Sequence, residues 1–110
     1  MSAEPRLSNT EWRVIRALLP RPRTGRPRVD DRRDIARLLY AKVRDEPLQS
    51  LFGRRISARL IVKRARWREA GVWNAIEAAG QPAIERMRAQ KLRALARHPL
   101  VKLGLVVVAF

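Results

Sequence analysis

Between residues 20 and 28 the chain reads Pro-Arg-Pro-Arg-Thr-Gly-Arg-Pro-Arg. Proline fixes φ and removes an amide donor, and glycine contributes no side-chain bulk, so this stretch cannot coil into a helix. Any fold the chain adopts is interrupted here. What remains is an extended basic loop presenting Arg21, Arg23, Arg26 and Arg28 between two segments of helical pattern. A Gly-Arg-Pro core flanked by arginine suits the narrow minor groove of A·T-rich DNA, where the negative potential attracts inserted arginine. The competing reading is a basic linker that touches nothing.

Charge favours a polyanionic partner. The 110 residues hold 25 Lys and Arg against 10 Asp and Glu, a formal net charge of +15. A small domain with that excess repels itself unless counterions or a polyanion offset it. Nucleic acid is the first expectation and an acidic lipid surface the second. Most of the cations are arginine, whose planar fork grips phosphate or guanine in a bidentate way. There is no cysteine, so neither a disulfide framework nor a thiolate metal site is expected. The single His98 cannot build a zinc site. Residues 1–6 contain no apolar segment of the secretory type. The one long apolar run, Leu103 to Phe110, falls far short of the roughly 20 residues a spanning helix needs.

Helical signals run through the rest of the chain. Ser8 and Glu11 stand at capping-box spacing, with Leu7 and Trp12 as the hydrophobic staple. Trp12, Ile15, Leu18 and Leu19 form one stripe, which Pro20 ends. Asp30 or Asp31 caps a second helix. Ile35, Leu38, Leu39 and Val43 make its buried face, and Arg32, Arg33, Arg37, Lys42 and Arg44 the remainder. Pro47 closes that unit. A short turn of helix over Leu48 to Phe52 precedes Gly53. A third long helix is expected from a Ser57 cap to Ala70, with Gly71 as its stop. Leu60, Ile61 and Trp67 are its candidates for burial, although Arg64 interrupts the stripe. Val72, Trp73 and Ile76 lead into a short helix ending near Gly80. Pro82 starts a last, basic helix with Arg86, Arg88, Lys91, Arg93 and Arg97, ending before Pro99. No strand is expected before residue 100, so the fold class is all-α.

A short helix, a glycine-containing turn and a longer basic helix form a helix-turn-helix-like layout. Here the pieces are Leu48 to Phe52, Gly53-Arg54-Arg55, and Ser57 to Ala70. Arg54, Arg55 and Arg59 cluster at the start of the second helix, where such motifs touch base edges. Lys63 and Arg66 follow one and two turns later and suit phosphates. The competing reading is a solvated basic face. Trp12, Trp67 and Trp73 occupy amphipathic positions and read as core, not as stacking platforms. Asp30, Asp31 and Asp34 at a helix start read as caps that complement the dipole, not as a catalytic pair. No catalytic residue, metal ligand or cofactor site is expected.

Three segments carry a family resemblance: Leu7 to Pro20, Gly25 to Tyr40, and Arg66 to Trp73. The first reads Leu-Ser-x-x-Glu-Trp-x-x-Ile-x-x-Leu-Leu-Pro. The second reads Gly-Arg-Pro-Arg-Val-Asp-Asp-Arg-Arg followed by Leu38, Leu39 and Tyr40. The third reads Arg-Trp-Arg-Glu-Ala-Gly-Val-Trp. Together they resemble the N-terminal domain of insertion-sequence transposases of the IS5 type, within the IS4/IS5 group, over residues 7 to 80. The resemblance implies a helical domain that binds the terminal inverted repeats of a mobile element. It also implies a following RNase-H-like domain whose three acidic residues hold divalent metal. The chain departs from the family at Glu46 to Ser50 and at Arg64, where an aromatic residue is usual. Ile84-Glu85-Arg86-Met87 is similar to the lead-in to the first catalytic aspartate, but Gln90 stands about where that aspartate belongs. No Asp or Glu follows Glu85.

The expected organisation is a disordered N-terminus (1–6), a helical DNA-binding domain (7–80), a basic helix (81–99) and an apolar tail (100–110). Val106, Val107 and Val108 in the tail favour a strand. It reads as the residue of a frame change in a first-frame product or decayed copy, or as a dimerising or packing segment. The function expected is non-catalytic binding of double-stranded DNA in the bacterial cytoplasm, at the nucleoid. Homo-oligomers or association with a full-length transposase are the protein partners the resemblance implies. The alternatives are an inhibitor of such a transposase, an RNA-binding module and a cationic membrane-surface protein with no membrane span.

Overall fold

The computed structural model describes residues 4–20 and 30–96. Among them the chain is all-helical, with six helices in order: α1 (Asn9–Arg16), α2 (Asp31–Arg44), α3 (Leu48–Phe52), α4 (Arg54–Glu69), α5 (Trp73–Ala79) and α6 (Gln81–Ala96). The loop carrying Arg21, Arg23, Arg26 and Arg28 lies outside the described residues, as do Arg97 and the tail 100–110.

The expected capping box is present at α1. The Glu11 amide donates to Ser8 Oγ at 3.1 Å, and the Ser8 amide donates to Glu11 Oε1 at 2.7 Å. The helix itself stops at Arg16, before Pro20 is reached. Leu18 and Leu19 continue as tight turns, their amides bonded to the Ile15 and Arg16 carbonyls. That turn brings Leu19 into the core, of which Leu7 and Ile15 are also part. Asp30 precedes α2 but makes no side-chain cap bond. Asp45, at φ 51°, turns the chain out of α2 ahead of Pro47.

The core gathers the apolar stripe of each long helix. Ile15, Ile35, Leu38, Leu39, Leu60, Ile76 and Ile84 are fully buried. α2 packs on α6 and α3, α4 on α3 and α5, and α1 on α5, while α5 also touches α6. The link from α5 to α6 is close-packed at Gly80. A Cβ there would stand 2.7 Å from Leu39 Cδ1 and 3.2 Å from the Ile76 carbonyl. Absence of a side chain is what lets the α5–α6 corner approach α2. α6 begins at Gln81, so Pro82 is its second residue, one place later than expected.

Ion pairs tie the periphery to this core. Arg86 on α6 meets Glu11 on α1 through Nη2 at 2.9 Å and Nε at 3.2 Å, and also donates to the Arg6 carbonyl at 2.7 Å. Arg32 donates to the Leu7 carbonyl at 2.7 Å and to Asn9 Oδ1 at 2.9 Å. Glu4 meets Arg37 Nε at 2.7 Å. Three of the six residues expected to form a disordered N-terminus, Glu4, Pro5 and Arg6, are therefore described, with Glu4 and Arg6 bonded to the helices.

Two expectations follow. Hydrogen bonds from Arg86 hold the Glu11 carboxyl below the usual carboxylate range; partial burial opposes them, and the Ser8 amide adds to them. A depressed carboxylate contributes stability above its ordinary value, near 4.5 here, and loses it as pH falls through the folded value. Glu11→Gln should therefore lower the melting temperature at neutral pH, with the gap to the parent closing below about pH 4.5. A gap that persists unchanged at pH 2 would refute the charge-based account. Gly80→Ala should cost about 1–3 kcal/mol in chemical denaturation through overpacking against Leu39. An unchanged midpoint would show that Leu39 has room to move.

Candidate nucleic-acid interface

All five candidate binding residues that the structure describes, Arg54, Arg55, Arg59, Lys63 and Arg66, are on α4. Its beginning departs from the expected one. Gly53, at φ 87°, is the single residue between α3 and α4. That left-handed backbone is open to glycine and strained for other residues. Arg54 and Arg55 are therefore the first residues of the helix and not part of the turn. Ser57 is not its cap. It is buried at 6% exposure, its amide already bonded to the Gly53 carbonyl at 3.0 Å. Gly71, at φ 76°, follows the Ala70 C-cap and ends the helix as expected.

α4 buries only Ser57, Leu60 and Trp67. Ile61, expected inside, is 49% exposed, and its neighbour Val62 is 50% exposed. The apolar stripe is too thin to hold the helix by itself, and charge supplies the rest. Asp34 on α2 is completely buried. It accepts from Arg59 Nη2 at 2.8 Å and from Lys63 Nζ at 2.8 Å, both on α4, and from Arg37 Nη1 at 3.5 Å. Lys63 also bonds Asp31 and lies 5.5 Å from the centre of the Trp67 ring. Trp67 in turn stacks on Trp73, with ring centres 6.0 Å and planes 6° apart.

This corrects three sequence expectations. Asp34 is a core counter-ion and not a surface cap. Arg37, expected on the solvent side, is buried at 7%, held by Glu4 and Asp34, with its guanidinium 5.8 Å from the Phe52 ring centre. Lys63 is drawn inward, with its side chain 20% exposed. The burial of Trp67 and Trp73 agrees with their reading as core.

The candidate residues thus fall into groups. Arg54, Arg55 and Arg66 are exposed and make no ion pair among the described residues. Arg59 is shared: one nitrogen is on Asp34, yet the side chain is 46% exposed. Lys63 is committed to the fold. Arg68, which the sequence reading did not single out, is exposed as well. Its helical register relative to Arg54 is the signal that would have found it. Arg64 is partly buried, and desolvation, followed by the nearby Arg68 charge, lowers its pKa against the pull of Glu77. On α6, Arg86 is consumed by Glu11, while Arg88 and Arg93 are exposed.

The acids are largely spent inside the fold. Glu4, Glu11, Asp31, Asp34, Glu46 and Glu77 all sit in ion pairs. Among the described residues, no three His, Cys, Asp or Glu side chains are grouped to hold a metal ion. No described helix is long and apolar enough to cross a membrane.

Removing one partner from a buried ion pair strands the others, at about 3–5 kcal/mol. Arg59 and Lys63 retain some access to water, so Asp34→Asn should cost about 3 kcal/mol, the lower end of that range. Urea unfolding monitored by tryptophan fluorescence measures it. A loss under about 0.5 kcal/mol, the size of an ordinary surface change, would mean that α4 is not held this way.

Compared with known proteins, the chain matches no family model, no curated protein and no solved structure.

Proposed function

We propose that this protein binds double-stranded DNA through the outer face of α4, with the arginine loop at residues 21–28 as a second contact. The observation that carries this reading is the sorting of charge on α4. Cations that the fold needs, Lys63 and in part Arg59, turn toward Asp34. Cations that the fold does not need, Arg54, Arg55, Arg66 and Arg68, are exposed.

Two of these stand where helix electrostatics disfavour them. Arg54 and Arg55 occupy the first turn of α4, which contains no acidic residue. The positive end of the dipole destabilises a cation there by about 0.3–1 kcal/mol. An anion against that end is favoured by the free amides, the dipole and both guanidinium groups together. Phosphate of a nucleic-acid backbone fits all three.

A duplex is favoured over a single strand by the shape of the surface. An α-helix with its side chains is about 10–12 Å across, and the major groove is about 12 Å wide. The exposed face of α4 lacks aromatic residues on which unpaired bases could stack. The resemblance of residues 7 to 80 to the end-binding domain of IS5-type transposases supports the same reading. On it, the natural target is the terminal repeat of a mobile element and the site of action is the bacterial nucleoid.

Binding should fall steeply with salt. Neutralising about 6–10 phosphates lowers affinity by about 10³–10⁵ between 50 and 200 mM. Replacing Arg55 or Arg66 by alanine should each reduce the salt slope by about 0.9, as fluorescence anisotropy with a labelled duplex would show. A flat salt response would sink the phosphate-based mechanism.

A further inference from the structure

The outer face of α4 is not uniformly basic. At 3.6 residues per turn, Ala58, Val62 and Ala65 fall on one line along its exposed side, and Ile61 lies at the edge of that face, where it borders a groove with Leu38, Ala41 and Pro47. All four are exposed, Ile61 and Val62 by about half of their surface. Of the three large hydrophobic residues exposed among the described residues, two are on this strip; the other is Val14. Arg55, Arg59 and Arg66 run along one side of the strip, and Arg54 and Arg68 along the other. The line of Ala58, Val62 and Ala65 lies opposite Leu60 and Trp67, the apolar residues that α4 buries.

We infer that this strip reads the 5-methyl groups of thymine in the major groove, so that the protein selects A·T pairs under the middle of α4. This rests on the DNA-binding reading above and specifies what the helix recognises. The chemistry points to methyl groups because the strip offers nothing else. Ala58, Ile61, Val62 and Ala65 have no side-chain donor or acceptor, so they cannot make the paired hydrogen bonds that identify guanine or adenine. Apolar side chains discriminate bases in the major groove through the thymine methyl. Two alanines leave the helix backbone free to sit close to the base edges. The flanking arginines are placed for the phosphates on the two walls of the groove.

Charge argues against another occupant. Two copies joined through this strip would bring both rows of arginine against each other with only Glu69 at its C-terminal end to offset them. A duplex supplies an apolar methyl in the centre of the groove and phosphates on both sides, the same pattern in complementary form.

The test compares two duplexes of equal charge, alternating d(A-T) and alternating d(A-U). Uracil lacks only the 5-methyl group, and the minor groove is unchanged, so contacts by the arginine loop are preserved. Burial of a methyl corresponds to about fourfold in affinity. The thymine duplex should therefore bind about 4-fold to 16-fold more tightly for one or two methyls covered. Val62→Ser with Ile61→Ser should abolish that preference while leaving the salt dependence of binding in place. Both positions are exposed, so circular dichroism should report an unchanged fold. Equal affinity for the two duplexes overturns the inference and leaves DNA binding intact. A thymine preference that survives in the double variant also overturns it, because the methyl would then be read elsewhere. Self-association that the double variant abolishes, seen by sedimentation, assigns the strip to a second copy and overturns it too. Absence of binding to any duplex at low salt fails the DNA-binding reading itself, and the inference with it.

Discussion

The fold turns on one buried carboxylate. Asp34 has no exposed surface, and a carboxylate removed from water costs several kcal/mol unless charge and hydrogen bonds replace its hydration. Three cations converge on it, Arg37 from its own helix and Arg59 and Lys63 from α4. The result is a polar hinge-pin between α2 and α4. It is needed because α4 brings little apolar surface of its own. Leu60 and Trp67 are its only fully apolar buried side chains, and Arg64 sits where a further one would strengthen the stripe.

Aromatic rings extend that junction on both sides. Lys63 leaves Asp34 and lies over Trp67, which stacks on Trp73 at the start of α5. Arg37 leaves Asp34 on the other side and lies over Phe52 at the end of α3, next to Tyr40 on α2. A cation facing a ring is worth about 0.5–1 kcal/mol when exposed and more when desolvated. The pairs matter here for geometry as much as for energy. They help to orient Lys63 and Arg37, which reach different oxygens of Asp34, Lys63 to Oδ2 and Arg37 to Oδ1. One acidic residue thereby sets the relation of α2, α3, α4 and α5.

What the sequence disclosed and what it hid divide along the range of the interactions. Ile15, Leu38, Leu39 and Leu60 were legible because helical spacing is a local property and their burial follows from it. The box between Ser8 and Glu11 was legible for the same reason. Asp34 was not. Four residues past Asp30, at a helix start, a carboxylate has a sufficient local explanation in the dipole, and nothing nearby names partners 25 and 29 residues away. Ser57 misled through its type. It is a good cap, but Gly53 makes the turn in one residue, so the helix has already begun. Arg37 and Lys63 misled through charge, since cations are mostly exposed unless paired. On the candidate interface, Arg54, Arg55 and Arg66 could be picked from composition and position. The apolar strip between them could not, because Ile61 read as core until the partner of α4 was known.

The same division governs how α4 would serve the proposed function. Acids occupy the first turns of α1 and α2, where they complement the helix dipole, but α4 begins with two arginines and none. Taken alone this leaves the positive end of the α4 dipole uncompensated by side-chain charge. Asp34 holds that end from one turn further on, through Arg59, and Arg59 remains half exposed. The guanidinium therefore spans from the core to the surface where phosphate would lie. A polyanion on this face would relieve the repulsion at Arg54 and Arg55 and meet a side chain already oriented by the buried carboxylate. Preorganisation of that kind reduces the entropy lost on binding, and any ligand that binds the folded state alone adds to its stability. On the proposed function, the placement of arginine that weakens α4 in isolation would also couple its stability to a bound polyanion.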